Sequence, residues 1–203
     1  MRLFLVRHGT TDWTEAGRLQ GHAPVSLNAA GRSQASLLAK RLIEVPLAAI
    51  YSSDLPRTAE TAAILAKDKQ LKVIETADLR EQSYGQWEGM TFNEIRSAYP
   101  AKYRQWQNRD EGIRPPGGES LGELEGRVSR LLALIRQTYS EDTSILLVGH
   151  GGSLQSIAKV VLELSIASRR RLNLATGSLS ILSVSEAGST LDLWNDVSHL
   201  AAM

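Results

Sequence analysis

The stretch Leu3-Phe4-Leu5-Val6-Arg7-His8-Gly9-Thr10-Thr11 decides how the chain is read. Its first four residues are apolar without alternation, the pattern of a strand buried on both faces in a parallel sheet of an α/β protein. The apolar run stops at Arg7 and His8. In open α/β sheets the ligand crevice lies beyond the carboxyl ends of the strands, so a cation and a nucleophile are presented there together. Gly9 lets the backbone turn with little side-chain bulk in the way. An isolated Arg-His-Gly reads more simply as a surface ion pair and a turn histidine, and only the rest of the chain reverses that balance.

The same pattern returns three times. Ala48 to Tyr51 is a second short apolar strand, followed by Ser52-Ser53-Asp54 and a helix opened by Pro56, with Arg57 in its first turn. Val73 and Ile74 suggest a third strand that runs out into Leu79-Arg80-Glu81. Ile145 to Val148 is a fourth, ending in Gly149-His150-Gly151-Gly152 ahead of a helix from about Ser153. Around these, Asp12 to Leu27 reads as an ordered polar loop holding Trp13, Arg18, Gln20, Gly21 and Pro24. Asn28 caps a helix whose apolar positions Ala35, Leu38, Ala39 and Leu42 keep helical spacing. From Gln82 to about Ser140 the character changes. Tyr84, Trp87, Phe92, Tyr99, Tyr103 and Trp106 crowd among charged residues, and a Pro115-Pro116-Gly117-Gly118 break follows, which reads as a helical lid. Ser120 and Glu123 form a capping box for the helix carrying Leu121, Leu124, Val128, Leu131, Leu132 and Ile135, where the main domain resumes. Two alternating strands near Leu179 to Val184 and Leu191 to Trp194 close the chain. The expectation is one domain over 1–203. It is a three-layer α/β/α fold with a mostly parallel sheet of about six strands and a lid insertion at about 82–140.

Composition narrows the function classes. The 203 residues are 42% hydrophobic and 22% charged, with a formal net charge of +1, which gives no global electrostatic reason to expect nucleic acid or an anionic membrane. Any selectivity for anions must be local. Cysteine is absent, which removes disulfides, thiol nucleophiles and thiolate ligands and fits a reducing compartment. No signal-type segment precedes the first strand, and no apolar run reaches the ~18 residues of a spanning helix. These features suggest a cytoplasmic protein with no membrane or nucleic-acid partner, and they leave a homodimer open.

Four strand ends thus carry Arg7-His8, Arg57, Glu81 and His150, and one crevice could collect them all. Two arginines and two histidines supply donors for the three equatorial oxygens of a phosphoryl group, a geometry that arginine forks match well. The turn from Gly149 to Ser153 adds backbone N–H groups at a helix N-terminus. One histidine can attack phosphorus while the Glu81 carboxyl protonates the departing oxygen.

The residues also carry a family resemblance. Arg7-His8-Gly9-Thr10-Thr11-Asp12-Trp13 resembles the signature of the histidine phosphatase superfamily, the phosphoglycerate mutase-like proteins. Further matches follow in order: Arg18-Leu19-Gln20-Gly21, Ser52 through Ala62, Leu79-Arg80-Glu81 with Gly85, Trp87-Glu88-Gly89, and Val148 through Gly152. The resemblance implies that His8 is phosphorylated, that Arg7, Arg57 and His150 form the phosphate pocket, and that Glu81 is the general acid. The wider phosphate and substrate set is Arg7, Thr14, Gln20, Gly21, Arg57, His150 and Gly151. Family members usually carry an acidic residue where this chain has Thr10, and a phosphate-binding asparagine where it has Thr14. The Gly85-Gln86-Trp87-Glu88-Gly89 and Pro115-Pro116-Gly117-Gly118-Glu119-Ser120 segments resemble the short phosphatase branch, including α-ribazole phosphatases and broad-specificity phosphatases. The implied activity is metal-independent hydrolysis of a small phosphorylated substrate with no cofactor. A mutase is the runner-up.

Competing readings are blander. His22 and His199 read as solvated or structural. Trp87, Trp106 and Tyr84 read as lid core rather than substrate-stacking residues, and Arg104, Arg109 and Arg114 as solvated charges. No histidine pair has metal-ligand spacing. Gly118-Glu119-Ser120-Leu121-Gly122 matches the serine-hydrolase pattern G-x-S-x-G, with Asp192 and His199 following in that order. The Arg114-Pro115-Pro116-Gly117 run before it cannot form the required central strand, so Ser120 reads as a helix cap. A noncatalytic phosphate-binding protein is a further alternative, opposed by the presence of nucleophile, clamp and acid together.

Overall fold

A computed structural model describes residues 1–107, 112–165 and 171–201. Six strands form one sheet in the order β3-β2-β4-β1-β5-β6. They are β1 (Arg2–Arg7), β2 (Ala49–Ser53), β3 (Val73–Thr76), β4 (Ser144–Gly149), β5 (Leu179–Ser185) and β6 (Gly188–Asp196). The first four are mutually parallel, and β5 and β6 extend the sheet antiparallel from β1. The expected α/β fold with a mostly parallel six-stranded sheet is the one observed.

The lack of alternation in β1 has a direct cause. Leu3 and Leu5 pack into a core on one face, with α6 (Leu121–Thr138) and α7 (Gly151–Val161). Phe4 and Val6 pack into a second core on the other, with α2 (Ala29–Arg41) and α3 (Pro56–Ala66). Both faces of the central strands are covered by helices, so every position is apolar. The antiparallel end is covered less completely, and β6 keeps the mixed exposure of a solvent-facing edge. At the opposite edge, β3 has no fully buried residue.

Several local expectations hold in detail. The Asn28 side chain accepts the Gly31 N–H at 3.0 Å, Pro56 is the first residue of α3, and Ser120 and Glu123 form a reciprocal capping box. One short helix escaped the sequence reading. Within the polar loop, Asp12–Glu15 forms α1, closed by a capping box between Thr11 and Thr14. The aromatic segment contributes α4 (Phe92–Ala98) and α5 (Pro100–Gln107), built around the fully buried Trp87, whose ring lies 5.6–6.4 Å from those of Tyr99, Tyr103 and Trp106. Helix α6, by contrast, belongs to the core beneath the sheet. Arg109 lies outside the described residues.

Candidate active site

Parallel register brings the ends of the chain together. Arg7 of β1 stands beside Gly149 of β4, and the His8 N–H donates to the Gly149 carbonyl at 3.0 Å. Arg7-His8 and Gly149-His150 therefore leave the sheet side by side, with ring centroids of the two histidines 5.1 Å apart. On the far side of β4, β2 ends at Ser53, whose hydroxyl is 3.0 Å from His150 Nε2. Arg57, in the first turn of α3, completes the group, fully buried. Its Nη1 and Nη2 donate to the carbonyls of Ala23 at 3.0 Å and Gly21 at 2.7 Å, while Arg7 donates to the Leu174 carbonyl.

Gly9 is required for its lack of side-chain bulk and not for a left-handed turn. Its φ is not positive, but a Cβ there would lie 2.4 Å from the Gly31 carbonyl oxygen, and one on Gly31 would lie 2.1 Å from that of Thr10. The two glycines let α2 press against the loop after β1. Thr10 fastens the contact, its N–H and hydroxyl meeting Gln34 Oε1 at 2.9 and 3.0 Å and its hydroxyl meeting Thr176 at 2.7 Å.

Burial sets the charge state. His8 Nδ1 lies 2.7 Å from the Gly9 carbonyl. A carbonyl only accepts, so Nδ1 carries the hydrogen and Nε2 keeps its lone pair. Burial first, then the Arg57 and Arg7 charges, holds His8 neutral, well below the ordinary histidine range. His150 is pushed down in the same way, by burial and then Arg57 and His8. Burial lowers Arg57 to about 10, with Glu81 opposing the shift, and Arg7 is lowered for the same reason. At about 10, Arg57 stays charged at neutral pH. Among the described residues, Arg7 Nε, Arg57 Nε and His150 Nδ1 are buried with no hydrogen-bond partner. Buried polar atoms left in this way are costly unless something meets them.

Glu81 is held by both its main chain and its side chain. Its Oε1 accepts from the Gln82 N–H at 2.8 Å and its Oε2 from the Gly152 N–H, at the start of α7, at 3.0 Å. Its carbonyl takes two donors, His22 Nε2 and Arg127 Nη2, each at 2.9 Å. Arg127 is fixed in turn by Glu119 at 2.8 Å and by the Asp78 carbonyl at 2.8 Å. Arg80 turns away to an ion pair with Asp54, so it does not compete for Glu81. Sequence reasoning missed Arg127, because an arginine inside an amphipathic helix looks solvated until its neighbours are known. His22 is neither solvated nor remote, since it holds the Glu81 carbonyl, while His199 is structural as read, its Nε2 donating to the Gly177 carbonyl at 3.0 Å.

A cleft of about 600 Å³ opens on this cluster and is lined by Arg7, His8, Thr14, Gln20, Arg57, Glu81 and Gly151 among others. His150 lies behind that lining, against His8. Gly21 acts through the carbonyl that holds Arg57, with its φ of +50° in the region that favours glycine. Thr14 reaches the cleft, but its hydroxyl donates to the Thr11 carbonyl at 2.8 Å and accepts the Thr11 N–H at 2.9 Å. Binding phosphate through that hydroxyl would require it to leave the cap. Gln20 Oε1 accepts from the Thr11 hydroxyl at 2.9 Å, which leaves its NH2 group for a ligand. Tyr84, Phe92 and Trp106 also line the cleft, so two aromatics read as core have a second face.

The serine-hydrolase alternative is not assembled. Ser120 is capping α6, Asp192 bonds to Ser183 and Thr190, and His199 lies with Gly177 and Arg41. Among the described residues no group of three or more His, Cys, Asp or Glu side chains could hold a metal ion, and no helix is long and apolar enough to cross a membrane.

A buried cation cluster with unmatched donors suits a phosphoryl group, and a neutral histidine among those cations suits nucleophilic attack. The class so defined is an α/β phosphatase. Comparison with known proteins then gives the family: the profile of the histidine phosphatase superfamily (branch 1) matches residues 3–197, and the chain belongs to that superfamily. It is 36% identical over 202 residues to phosphoglycerate mutase-like protein 4 of Arabidopsis thaliana, covering 98% of this chain and 86% of that protein. It is 31% identical over 200 residues to phosphoserine phosphatase 1 of Hydrogenobacter thermophilus, covering 98% and 94%. Among solved structures, the α-ribazole phosphatase of Shigella flexneri superposes with a TM-score of 0.87 at 30% identity, covering 97% of this chain and 96% of the other.

Proposed function

We propose that the protein hydrolyses phosphomonoesters of small metabolites in two steps through His8. The observation that carries this reading is that Arg7 and Arg57, which line the cleft with the neutral His8, and His150, whose ring lies 5.1 Å from that of His8, each keep a buried nitrogen without a partner. With the Ser53 hydroxyl donating to His150 Nε2, His150 Nδ1 bears the hydrogen and joins the arginines on the equatorial oxygens. His8 Nε2 attacks phosphorus in line, its Nδ1–H remaining on the Gly9 carbonyl. The N–P bond forms as the P–O bond to the alcohol breaks, and Glu81 passes a proton to the departing oxygen. Water then attacks phosphorus from the opposite face and gives its proton to Glu81. The N–P bond breaks, and inorganic phosphate leaves with His8 restored. Of the lid read over about 82–140, the described stretches 82–107 and 112–120 bound the leaving-group side.

Brief exposure to labelled substrate followed by alkaline denaturation tests the mechanism. The label is expected on His8, stable to base and lost in acid, and absent from His8→Ala, which keeps its thermal transition. Acid-stable label, or label on Ser120, overturns it. A mutase would return the phosphoryl group to another oxygen of its product, so isomerised 3-phosphoglycerate with little free phosphate would replace the hydrolase reading.

A further inference from the structure

The arginines of helix α6 do not behave alike. Arg130 is exposed and makes one ion pair, with Asp78 at 3.1 Å, whereas Arg127 is only 8% exposed. Its Nε and Nη2 grip the two carboxylate oxygens of Glu119 at 2.8 and 3.0 Å. Nη2 also donates to the Glu81 carbonyl at 2.9 Å, and Nη1 to the carbonyls of Asp78 at 2.8 Å and Ala77 at 3.5 Å. Five acceptors therefore face the five N–H donors of one guanidinium.

Those acceptors belong to two segments. Ala77, Asp78 and Glu81 lie on the stretch that runs from the end of β3 to the acid, by way of a 3-10 turn at Ala77–Leu79. Glu119 stands where the lid returns, and it is tied to where the lid departs. Its N–H donates to the Ser83 carbonyl at 2.9 Å, its carbonyl accepts from Gln82 Nε2 at 2.7 Å, and its Oε2 accepts from the Ser83 N–H at 3.3 Å. Arg127 thus joins both roots of the lid to a core helix, at the residue that must meet the leaving oxygen.

Stability is a poor reason for such an arrangement. The desolvation of a buried ion pair is incompletely repaid, and neutral side chains of similar volume often replace one without loss. What the planar fork supplies, and neutral side chains do not, is several fixed directions at once. A general acid in turn depends on its distance from the oxygen it protonates.

We propose that Arg127 is the positioning residue of the general acid: through the Glu81 carbonyl and the tie to Glu119 it sets where the Glu81 carboxyl stands against the leaving oxygen. It does not line the catalytic cleft, but borders a separate one with His22 and Glu119. The inference rests on the phosphatase reading with Glu81 as acid, and its test separates the two.

The experiment measures single-turnover phosphorylation of the full chain by p-nitrophenyl, phenyl and ethyl phosphate, whose leaving groups need a proton increasingly in that order. Arg127→Lys keeps the charge beside Glu119, but a single nitrogen cannot reproduce the fork that holds Glu119 and the Glu81 carbonyl together. It should keep its thermal transition and slow ethyl phosphate by about ten- to a hundredfold, while p-nitrophenyl phosphate changes by less than about twofold. The plot of log rate against leaving-group pKa should steepen accordingly. Arg127→Met combined with Glu119→Gln removes both charges, so that no buried charge is left unpaired, and should show the same split. Equal slowing of all three esters, or no slowing in folded Arg127→Lys, overturns the inference and leaves the phosphatase standing. So does loss of the folded state in both variants, which would make Arg127 a folding determinant. If the unaltered protein forms no phosphohistidine, or if Glu81→Gln slows all three esters alike, the reading beneath the inference fails and the inference falls with it.

Discussion

His8, Arg57 and His150 stand at the ends of neighbouring strands or at the first turn of the following helix, and they are at most 2% exposed. Tyr84, Phe92 and Trp106, on the same cleft, come from turns and short helices outside the sheet, and Phe92 is half open to solvent. The first group is anchored by the sheet register and by bonds such as those of His8 Nδ1 to the Gly9 carbonyl, of Arg57 to the Gly21 and Ala23 carbonyls and of His150 Nε2 to the Ser53 hydroxyl, whereas the second makes aromatic contacts within its own segment. A rigid scaffold suits groups that must meet developing charge to within a fraction of an ångström. A loosely attached wall suits the part of a site that varies with the substrate. Chemistry is therefore expected to fail steeply on small changes in the first region, and selectivity to drift on changes in the second.

The largest test of that contrast is Glu81→Gln. It should slow alkyl phosphates by ~10²–10⁴-fold, because their leaving oxygen needs a proton. With p-nitrophenyl phosphate, whose phenolate leaves unaided, single-turnover phosphorylation should be nearly unchanged and followed by slow hydrolysis. Equal losses on both esters would remove Glu81 from the acid role. Glu88 would be a poor replacement, since its Oε1 already accepts the N–H groups of His22 at 2.9 Å and Tyr84 at 3.1 Å.

Next comes Arg57→Lys, which keeps the charge and loses the planar fork. Steady-state kinetics should show kcat down by ~10²–10³-fold with a smaller change in KM. Near-normal kcat would mean that Arg57 acts as a point charge, and the rigid half of the comparison would lose its sharpest member.

His22 marks the boundary between the regions, since it reaches from the first loop to the Glu81 carbonyl. His22→Ala should cost about tenfold on alkyl phosphates by loosening the acid, in line with the sensitivity of catalysis to small misplacements. It should spare the single-turnover phosphorylation step with p-nitrophenyl phosphate, and His22→Gln, which restores a donor, should recover much of the loss. A purely structural role would slow both esters equally and lower the melting temperature.

The smallest effect is on stability. His8 and His150 are held neutral in the folded protein, with folded pKa values well below their unfolded ones. Below about pH 6.5 the unfolded chain binds protons that the native state does not, so stability rises with pH up to that point and levels off above it. Acidification below it should cost about 1.4 kcal/mol per pH unit for each histidine until the folded pKa is reached. Thermal unfolding between pH 7.5 and 5 should show this slope, and it should flatten in His150→Gln. The carboxamide of Asn195, which also lines the cleft, does not titrate, so Asn195→Ala should leave the slope as it was.

The sequence alone determined the two-sided burial of β1 and β4, the caps at Asn28 and Ser120, the proline start of α3, and the residue types at each strand end. These are local matters, set by apolar periodicity and by which side chains satisfy helix termini. The order of the strands was decided only in three dimensions. Residue 7 pairs with residue 149 because β4 inserts between β1 and β2, and no short-range pattern encodes that choice. The same holds for Arg127 beneath Glu81, for the close approach of Gly9 and Gly31, and for the hydroxyl of Thr14 turned into its own helix cap. Asn195, from the penultimate stretch of the chain, likewise joins a cleft begun at Arg7. Each depends on contacts between segments far apart in the chain, where packing and burial, rather than residue type, fix what a side chain can do.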